Sequence, residues 1–366
     1  MRLNSISLCD FRNHENLELG FTAGTTTIIG RNGRGKTNIV EAVNYLATLG
    51  SHRVSQDGPL IRKGLTSATI DAKVSKHNRE ATVELTINYP GTNRVLLNGN
   101  SLPRARDVLG LVSTVIFSPE DLELVKGDPA ARRRFLDEFS TLMAPRFAGT
   151  RSDYDRTLKQ RNALLKSAGR RQLNETVRTT LAAWDEQLIT NGAALIFSRL
   201  ENLKKLQPFF EEHGKTISAS SEPLQINYLS SWLSTQDLEL TEIENNLRDQ
   251  IRDRHSEEID RGVTLVGPHR DDLEITLSEM PAKGYASHGQ SWSIALAMRL
   301  ATFSVLRNHD DDPILILDDV FAELDERRRT RLSSAIEGVE QTLITAAVEE
   351  DVPTGLLSAR LVLEDN

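Results

Sequence analysis

A loop of glycines and polar residues at positions 30–38 carries the residue types that bind a triphosphate. It has the spacing Gly-x-x-x-x-Gly-Lys-Thr, with a further glycine inside the loop. The glycines let backbone N–H groups turn towards the phosphates, the lysine charge reaches the β and γ oxygens, and the threonine hydroxyl ligates Mg²⁺. The candidate nucleotide-binding residues are Gly30, Arg31, Asn32, Gly33, Arg34, Gly35, Lys36, Thr37 and Asn38.

The residues on either side of this loop predict the elements that position it. Positions 25–29 read as a strand, and Ile39, Val43 and Leu46 recur at helical spacing across 38–49. The N-terminus of that helix favours an anion through its free N–H groups and its dipole. The alternative is a chance match in a glycine-rich turn, but a strand before and a helix after are the context that the motif requires. We therefore expect ATP and Mg²⁺ as cofactors, with Lys36 also a catalytic candidate.

A pair of aspartates follows a second apolar run. Positions 313–317 are Pro-Ile-Leu-Ile-Leu, and Asp318 and Asp319 come directly after them. A continuous apolar run is typical of a buried parallel strand. It would deliver Asp318 to the magnesium shell beside Thr37, and Asp319 would polarise the attacking water. A solvated turn is the alternative reading of the two aspartates.

Two further segments flank this strand in the sequence. Ser287, Gly289 and Gln290 stand before an apolar-periodic stretch at 291–306, which predicts a helix whose N-terminus can grip phosphate. An ordinary N-cap is the alternative. Downstream, positions 321–325 form a short turn that ends at Asp325 before the next helix.

In this order and spacing the segments resemble the Walker A, signature, Walker B and D-loop motifs of ABC-type ATPases. The resemblance implies that two heads face each other, with Ser287 of each meeting the γ-phosphate held by the other. We therefore expect an ATP-dependent homodimer. Transporter subunits place the signature much closer to Walker A, and the long-armed chromosome ATPases insert hundreds of heptad residues. This chain does neither, because the helical runs of its insert show no sustained heptads. Its arm is expected to be short.

Further motifs make the likeness specific to the RecF family of bacterial recombination mediators, which the chain resembles over essentially its whole length. They lie at 10–13 (Asp-Phe-Arg-Asn), 30–38 with Glu41, 117–122 (Phe-Ser-Pro-Glu-Asp-Leu), 126–127 (Lys-Gly), 132–137 (Arg-Arg-Arg-Phe-Leu-Asp) and 267–272 (Gly-Pro-His-Arg-Asp-Asp). The resemblance implies a dimer that binds double-stranded or gapped DNA and, with RecR and RecO, helps load RecA. Asp319 stands where the superfamily usually has a glutamate, and its shorter side chain predicts a weak ATPase in which ATP acts mainly as a switch.

The expected fold class is α/β, an ABC-type P-loop ATPase head with a mixed sheet, an inserted and mostly helical lobe, and no long coiled coil. We assign 1–125 to the first lobe with Walker A, 126–299 to the helical lobe with the signature, and 300–366 to the rest of the first lobe. Strands are predicted at 3–8, 25–29, 68–74, 81–87, 112–117, 263–266, 273–277, 314–317, 342–345 and 361–363. Asn98 and Gly99 predict a tight hairpin turn.

The distribution of charge decides whether DNA binding is physically reasonable. The net charge of −8 is unfavourable for phosphate contacts, yet positions 130–180 hold twelve basic and five acidic residues. The basic residues include Arg146, Lys159, Lys166, Arg170, Arg171 and Arg178, and the DNA-contact candidates are Arg132, Arg133, Arg134, Arg151, Arg156 and Arg161. Such a face would read backbone and shape rather than sequence. A solvated helix surface is the alternative.

Composition restricts the remaining possibilities. Cys9 is the one cysteine in the sequence, so no disulfide framework forms within the chain. No signal peptide or membrane span is expected from the sequence pattern, which predicts a cytoplasmic location. His269 and Arg270 stand between two β-type runs, as a polar turn or as a loop that senses DNA or nucleotide. An ABC transporter subunit and a P-loop metabolic kinase remain alternative functions.

Overall fold

The computed structural model describes residues 1–77, 79–168, 174–218, 222–233, 235–309 and 312–363. The chain divides into two compact units. Unit 1 comprises Met1–Val125, Phe209–Pro223 and Ala286–Asn366. Unit 2 comprises Lys126–Pro208 and Leu224–Tyr285. Within the described ranges, no helix has both the length and the apolar content needed to cross a bilayer.

Unit 1 contains two sheets that differ in strand direction. Its strands are β1 (Arg2–Phe11), β2 (His14–Gly20), β3 (Gly24–Ile29), β4 (Ser67–Lys76), β5 (Arg79–Asn88), β6 (Arg94–Leu97), β7 (Asn100–Ser101), β8 (Thr114–Phe117), β12 (Ile314–Asp318), β13 (Gln341–Ala346) and β14 (Ala359–Val362). One sheet is antiparallel, in the order β2-β1-β4-β5-β6-β7. The other is parallel, in the order β14-β3-β13-β12-β8.

The parallel sheet determines where the polar candidates meet. Every residue of β12 and β13 is buried, as expected for parallel strands covered on both faces. Because β3, β13, β12 and β8 run in the same direction, their carboxyl ends lie at one edge of the sheet. In register, Asp318 pairs with Thr345 and Ile29 with Ala346. The loop after β3 and the aspartates of β12 therefore emerge at the same edge.

Unit 1 has four helices among its described residues, α1 (Lys36–Thr48), α2 (Leu122–Lys126, ending just inside unit 2), α8 (His288–Asn308) and α9 (Glu326–Ala335). Two of them, α1 and α8, pack against these sheets. Most residues of α1 are buried, in one core with both sheets. The opposite face of the parallel sheet receives α8, where Trp292 meets Phe117 edge to face with ring centroids 5.5 Å apart. Asn98 and Gly99 both have positive φ, 50° and 76°, and join β6 to β7 as the predicted hairpin turn.

Unit 2 is mainly helical. Its elements are α3 (Pro129–Met143), α4 (Phe147–Ala168), α5 (Glu175–Ser218, which continues into unit 1 after Pro208), β9 (Leu224–Leu229), α6 (Leu240–Arg261), β10 (Asp272–Leu277), β11 (Met280–Pro281) and α7 (Ala282–Tyr285). The three strands form an antiparallel sheet in the order β11-β10-β9. A core of Tyr154, Leu188, Leu195, Leu247 and Ile251 joins α4, α5 and α6.

One predicted strand is wrong. Residues 263–266 form no strand, because side chains and the end of α6 satisfy their backbone groups instead of a neighbouring strand. The Thr264 N–H donates to Asn162 Oδ1 (2.7 Å), and the Leu265 N–H donates to Glu258 Oε1 (2.7 Å). The β-type residues of 263–266 therefore reflect burial of Thr264 and Val266 rather than sheet pairing.

The compact units also differ from the lobes drawn from the sequence. Residues 286–299, which carry the signature candidates, belong to unit 1 and not to the unit of the inserted helices. The physical reason is that α8 packs on β8 through Trp292 and Phe117. Residues 209–223 belong to unit 1 as well, since α5 has His213 bonded to Ser304 of α8 (2.8 Å).

Candidate nucleotide-binding site

The glycine loop after β3 has the backbone conformation that a phosphate cradle requires. Gly33 and Gly35 have φ of 86° and 90°, a region that L side chains rarely adopt. At Gly35 space is limiting too, because a Cβ would lie 2.6 Å from Asn13 Oδ1 and closer still to the His14 ring. His14 Nε2 donates to the Gly35 carbonyl (3.1 Å). The 10–13 motif and the next residue thus support the loop from outside.

Lys36 lies inside the loop that it belongs to. Its side chain is buried, and Nζ donates to the Gly30 carbonyl (2.8 Å) and to Asn32 Oδ1 (3.4 Å). These acceptors hold the ammonium at the first turn of α1, where the helix dipole also favours an anion. The arrangement can neutralise the β and γ oxygens of a bound triphosphate.

Thr37 and Asp318 are brought together from opposite parts of the sequence. The Thr37 hydroxyl donates to Asp318 Oδ1 (3.1 Å) at the carboxyl edge of the parallel sheet. Burial raises the pKa of Asp318 to about 6, aided by the nearby carboxylates of Asp319 and Glu120, while hydrogen bonds from Thr345 and Thr37 act in the opposite direction. A hydroxyl and a carboxylate are the hard oxygen donors that Mg²⁺ prefers. These residues fit Mg²⁺, which would neutralise charge on the phosphate oxygens.

Asp319 is held in an unusual conformation by a residue that the sequence did not point to. Its φ is 51°, rare for a residue other than glycine, and its N–H donates to Thr345 Oγ1 (2.9 Å). The same hydroxyl donates to Asp318 Oδ1 (2.6 Å). Thr345 is fully buried at the carboxyl end of β13. Its position next to the carboxyl end of the strand, directly after the apolar Leu343 and Ile344, is the signal that could have identified it.

A second network surrounds the first turns of α1. Arg12 donates to both carboxylate oxygens of Glu41 (2.9 and 2.6 Å), which is buried and also hydrogen-bonded by Ser51. Burial favours the neutral acid, but the bonds from Arg12 and Ser51 prevail and hold the pKa of Glu41 below its ordinary value. Arg53 donates to Asn38 Oδ1 (3.0 Å) and contacts Glu41 (3.4 Å). Residues 10–13 and 41, which carried the family likeness, therefore support the loop.

The turn after β8 adds further acidic groups to this edge of the sheet. Glu120 forms an ion pair with Arg53 (3.5 Å). Asp121 accepts from the Ser118 N–H (3.0 Å) and from Arg299 Nη2 of α8 (2.6 Å). The 117–122 motif thus lies between the nucleotide loop and the helix that carries the signature residues.

The signature candidates form the N-terminal cap of α8. Ser287 Oγ accepts from the Gln290 N–H (3.2 Å), and the Gln290 side chain accepts from the Ser287 N–H (2.9 Å), which is a capping box. Ser287 is exposed. Asp325 caps α9 in a related way, accepting from the Arg328 N–H (2.9 Å). The ordinary N-cap reading is therefore correct as local structure, and contact with a nucleotide stays a prediction.

The proposed DNA face is corrected at two positions. Arg161 is fully buried and paired with Asp185 and Glu258 (2.6 Å each), and Arg132 is buried and paired bidentately with Asp272 (2.8 Å). Neither guanidinium can reach a DNA backbone, because each neutralises acids inside unit 2.

The other basic candidates differ in how freely their charges face solvent. Arg133 donates to the Asp271 carbonyl (2.8 Å), and Arg151 pairs with Asp137 (3.3 Å). Arg134 is exposed, and the Arg156 side chain is 70% exposed with a pair to Asp153 (2.9 Å). Arg170 and Arg171 lie outside the described residues.

His269 is part of the internal structure of unit 2. Its Nδ1 accepts from the Tyr154 hydroxyl (2.6 Å), and its Nε2 donates to the Thr264 carbonyl (3.3 Å). Burial lowers the pKa of His269 to about 4, so the ring is neutral near pH 7. Arg270 is exposed and donates to the same carbonyl (3.0 Å). Both residues stabilise an irregular turn, rather than one between paired strands.

Comparison with known proteins agrees with this geometry. The family model described as RecF/RecN/SMC N terminal domain matches residues 2–355. A Kineococcus radiotolerans protein described as DNA replication and repair protein RecF is 50% identical over 372 residues, covering 97% of this chain and 95% of the relative. A Streptomyces avermitilis protein of the same description is 48% identical over 371 residues, covering 100% and 98%.

The chain belongs to the RecF family. A solved structure, described as the recombination mediator protein RecF with ATP in the RecFOR pathway, is 31% identical. It matches with a TM-score of 0.88 over 96% of this chain and 93% of that chain. The predicted fold, an ABC-type ATPase head with an inserted helical lobe and no long coiled coil, is confirmed by these matches.

Proposed function

We propose that this protein is an ATP-dependent, DNA-binding ATPase of replication and recombinational repair. The observation that carries the proposal is the convergence of Lys36, Thr37 and Asp318 at one edge of the parallel sheet, with the Thr37 hydroxyl 3.1 Å from the Asp318 carboxylate. The known RecF proteins are described as acting in DNA replication and repair, and a RecF structure has been solved with ATP.

The residues of the site divide the work between binding and turnover. The loop N–H groups and Lys36 bind the triphosphate, and Thr37 and Asp318 hold Mg²⁺ against it. Asp319, fixed by Thr345, orients the attacking water. An aspartate reaches less far than a glutamate, so hydrolysis is slow and the ATP-bound state lasts long. ATP then acts mainly as a switch.

The exposed cap of α8 supports an ATP-dependent homodimer. In one head Ser287 is exposed at the N-terminus of α8, and Asp325 caps α9. In the dimer, Ser287 and Gln290 contact the γ-phosphate bound by the partner head, and Asp325 lies at the interface. This gives each signature residue a ligand that one head alone cannot supply.

DNA binding is proposed for the exposed arginines of unit 2. Arg134 and Arg156 remain as phosphate contacts, with Arg133 and Arg151 in supporting positions, because their side chains are at least partly exposed. The duplex or gapped DNA would be recognised by its backbone. The RecFOR description of the solved relative supports RecO-type and RecR-type partners. An indirect role in loading RecA and a cytoplasmic location are part of the same proposal.

Light scattering tests the proposal. We expect a monomer without nucleotide and a dimer with ATP and Mg²⁺, and duplex DNA should bind to the ATP form. Ser287→Arg should abolish the dimer and leave ATP binding by each head nearly intact. A Ser287→Arg protein that dimerises like the wild type would show that the signature assignment is wrong. If a small phosphoacceptor, rather than DNA, changes the oligomeric state in the presence of ATP, the result would favour a kinase.

A further inference from the structure

The glycine in the first turn of α8 is not required by its backbone conformation. Gly289 lies in regular helix and is not among the residues with positive φ. Alanine is intrinsically favoured over glycine inside a helix, because glycine loses more backbone entropy. The backbone conformation of one head therefore gives no reason for glycine at this position.

The space beside Gly289 is occupied by the side chain of Arg328. A Cβ on Gly289 would lie 3.1 Å from Arg328 Nη2, 3.2 Å from Nη1 and 3.5 Å from Cζ. Ordinary contact begins at about 3.4 Å, so with alanine the guanidinium would have to shift by a few tenths of an ångström. The contrast within the chain is Gly149 of α4, where a Cβ would meet no atom within 4 Å.

Asp325 fixes the guanidinium in this place. Arg328 Nη1 donates to Asp325 Oδ2 (2.8 Å), while the Arg328 N–H donates to Asp325 Oδ1 (2.9 Å). One carboxylate therefore binds both the main chain and the side chain of the same residue. The hydrogen bond from the Arg328 backbone holds the pKa of Asp325 below its ordinary value. The side chain of Arg328 is 26% exposed, since its end lies against α8.

The charge of Arg328 makes this position dependent on Asp325. The guanidinium lies beside the first turn of α8 and belongs to the first turn of α9, and helix dipoles disfavour a cation at both. Asp325 offsets that repulsion. Without its carboxylate, neither the salt bridge nor the cap would keep the guanidinium against Gly289.

We propose that Arg328 is a positioning residue, which couples the D-loop at Asp325 to the signature turn of the same head. Glycine at position 289 leaves room for the guanidinium against the signature turn. The inference rests on the proposed function, because the signature turn matters only if Ser287 meets the partner's ATP. By fixing Gly289, the guanidinium fixes the Ser287 hydroxyl at the start of the same turn.

A double-mutant cycle tests this coupling with Gly289→Ala, Arg328→Ala and the combination, using the full chain. The readouts are ATP affinity of the single head and ATP-driven dimerisation. We expect each single variant to weaken dimerisation about tenfold with unchanged ATP affinity, and the double variant to differ from Arg328→Ala by less than about twofold. Asp325→Asn should resemble Arg328→Ala, and Gly149→Ala should behave as wild type.

One result of the cycle would contradict the coupling between Arg328 and Gly289. If alanine at 289 weakens dimerisation as strongly in the Arg328→Ala background as in the wild type, Gly289 is needed for another reason and the coupling does not exist. A wild-type protein that never dimerises with ATP would refute the proposed function instead. In that case the melting temperature of the monomer tests the contact between Arg328 and Gly289 independently of dimerisation. Gly289→Ala should lower it when Arg328 is present and should not lower it in the Arg328→Ala background.

Discussion

The nucleotide site of unit 1 and the arginine-rich segment of unit 2 show how differently two kinds of sequence signal translate into structure. In unit 1, Lys36, Thr37 and Asp318 meet as their motifs predicted, because each motif specifies a backbone conformation at the end of a strand. In unit 2, neighbouring arginines of one basic run have opposite fates. Arg161 is buried among acids, whereas Arg156, on the same helix, is exposed.

In this protein a motif locates a site, whereas a run of charge does not. A glycine-lysine-threonine loop specifies its backbone path, with Gly33 and Gly35 at positive φ. An arginine can equally well neutralise buried carboxylates or face solvent, and helical periodicity sorts it between the two. Net charge along a segment therefore overestimates the charge available to DNA.

The largest effect is expected from Arg161→Ala. It would leave the fully buried Glu258 without its partner, and breaking a buried pair costs about 3 to 5 kcal/mol of folding free energy. Urea unfolding measures the change. Arg156→Ala on the same helix is the control, expected within about 0.5 kcal/mol of wild type. If the two variants are equally stable, the difference in burial between Arg161 and Arg156 does not affect the free energy of unfolding.

Substitutions at the nucleotide site should separate binding from turnover. Lys36→Met removes a charge from the phosphates and should weaken ATP binding roughly ten- to hundredfold. Asp319→Asn should retain ATP, lower hydrolysis by about 10² to 10⁴ and prolong the dimer. Equilibrium ATP binding and single-turnover hydrolysis measure the two effects. Equal loss of ATP affinity in both variants would contradict the role given to Asp319.

Thr345 offers a finer test of the same site. Thr345→Val keeps the shape but leaves the Asp319 N–H without its acceptor, which is expected to cost about 1 to 3 kcal/mol. We expect slower hydrolysis with ATP affinity largely retained. Thr345→Ser keeps the hydroxyl and should restore hydrolysis nearly to the wild-type rate. If the serine variant is as slow as the valine variant, the methyl group and not the hydroxyl matters.

The smallest effect concerns DNA. Replacing Arg134 and Arg156 by Ala should weaken duplex binding alike for unrelated sequences and lower the slope of log K against log salt by roughly 0.9 for each lost phosphate contact. Salt titrations in ATP measure the slope. Arg252→Ala, an exposed arginine of α6 outside the basic run, is the control. An unchanged slope in the double variant would favour a solvated helix surface.

Short-range sequence patterns specify the local parts of this protein. The strand before the glycine loop, the helix after it, the apolar strand before Asp318 and the hairpin turn at Asn98 and Gly99 follow from short-range rules. Glycine at positive φ, helical spacing and continuous apolar runs act over a few neighbouring residues. The family motifs indicated which role each of these parts has in the nucleotide site.

Long-range packing, in contrast, places distant residues in one site or one core. Sheet order brought Thr345 under Asp318 and Asp319, and side-chain packing put Arg328 against Gly289. The same packing buried Arg161. It also gave 263–266 an irregular path, because Asn162 and Glu258 bind its backbone. Such contacts join residues far apart in the chain, and their energy depends on burial, which no local pattern encodes.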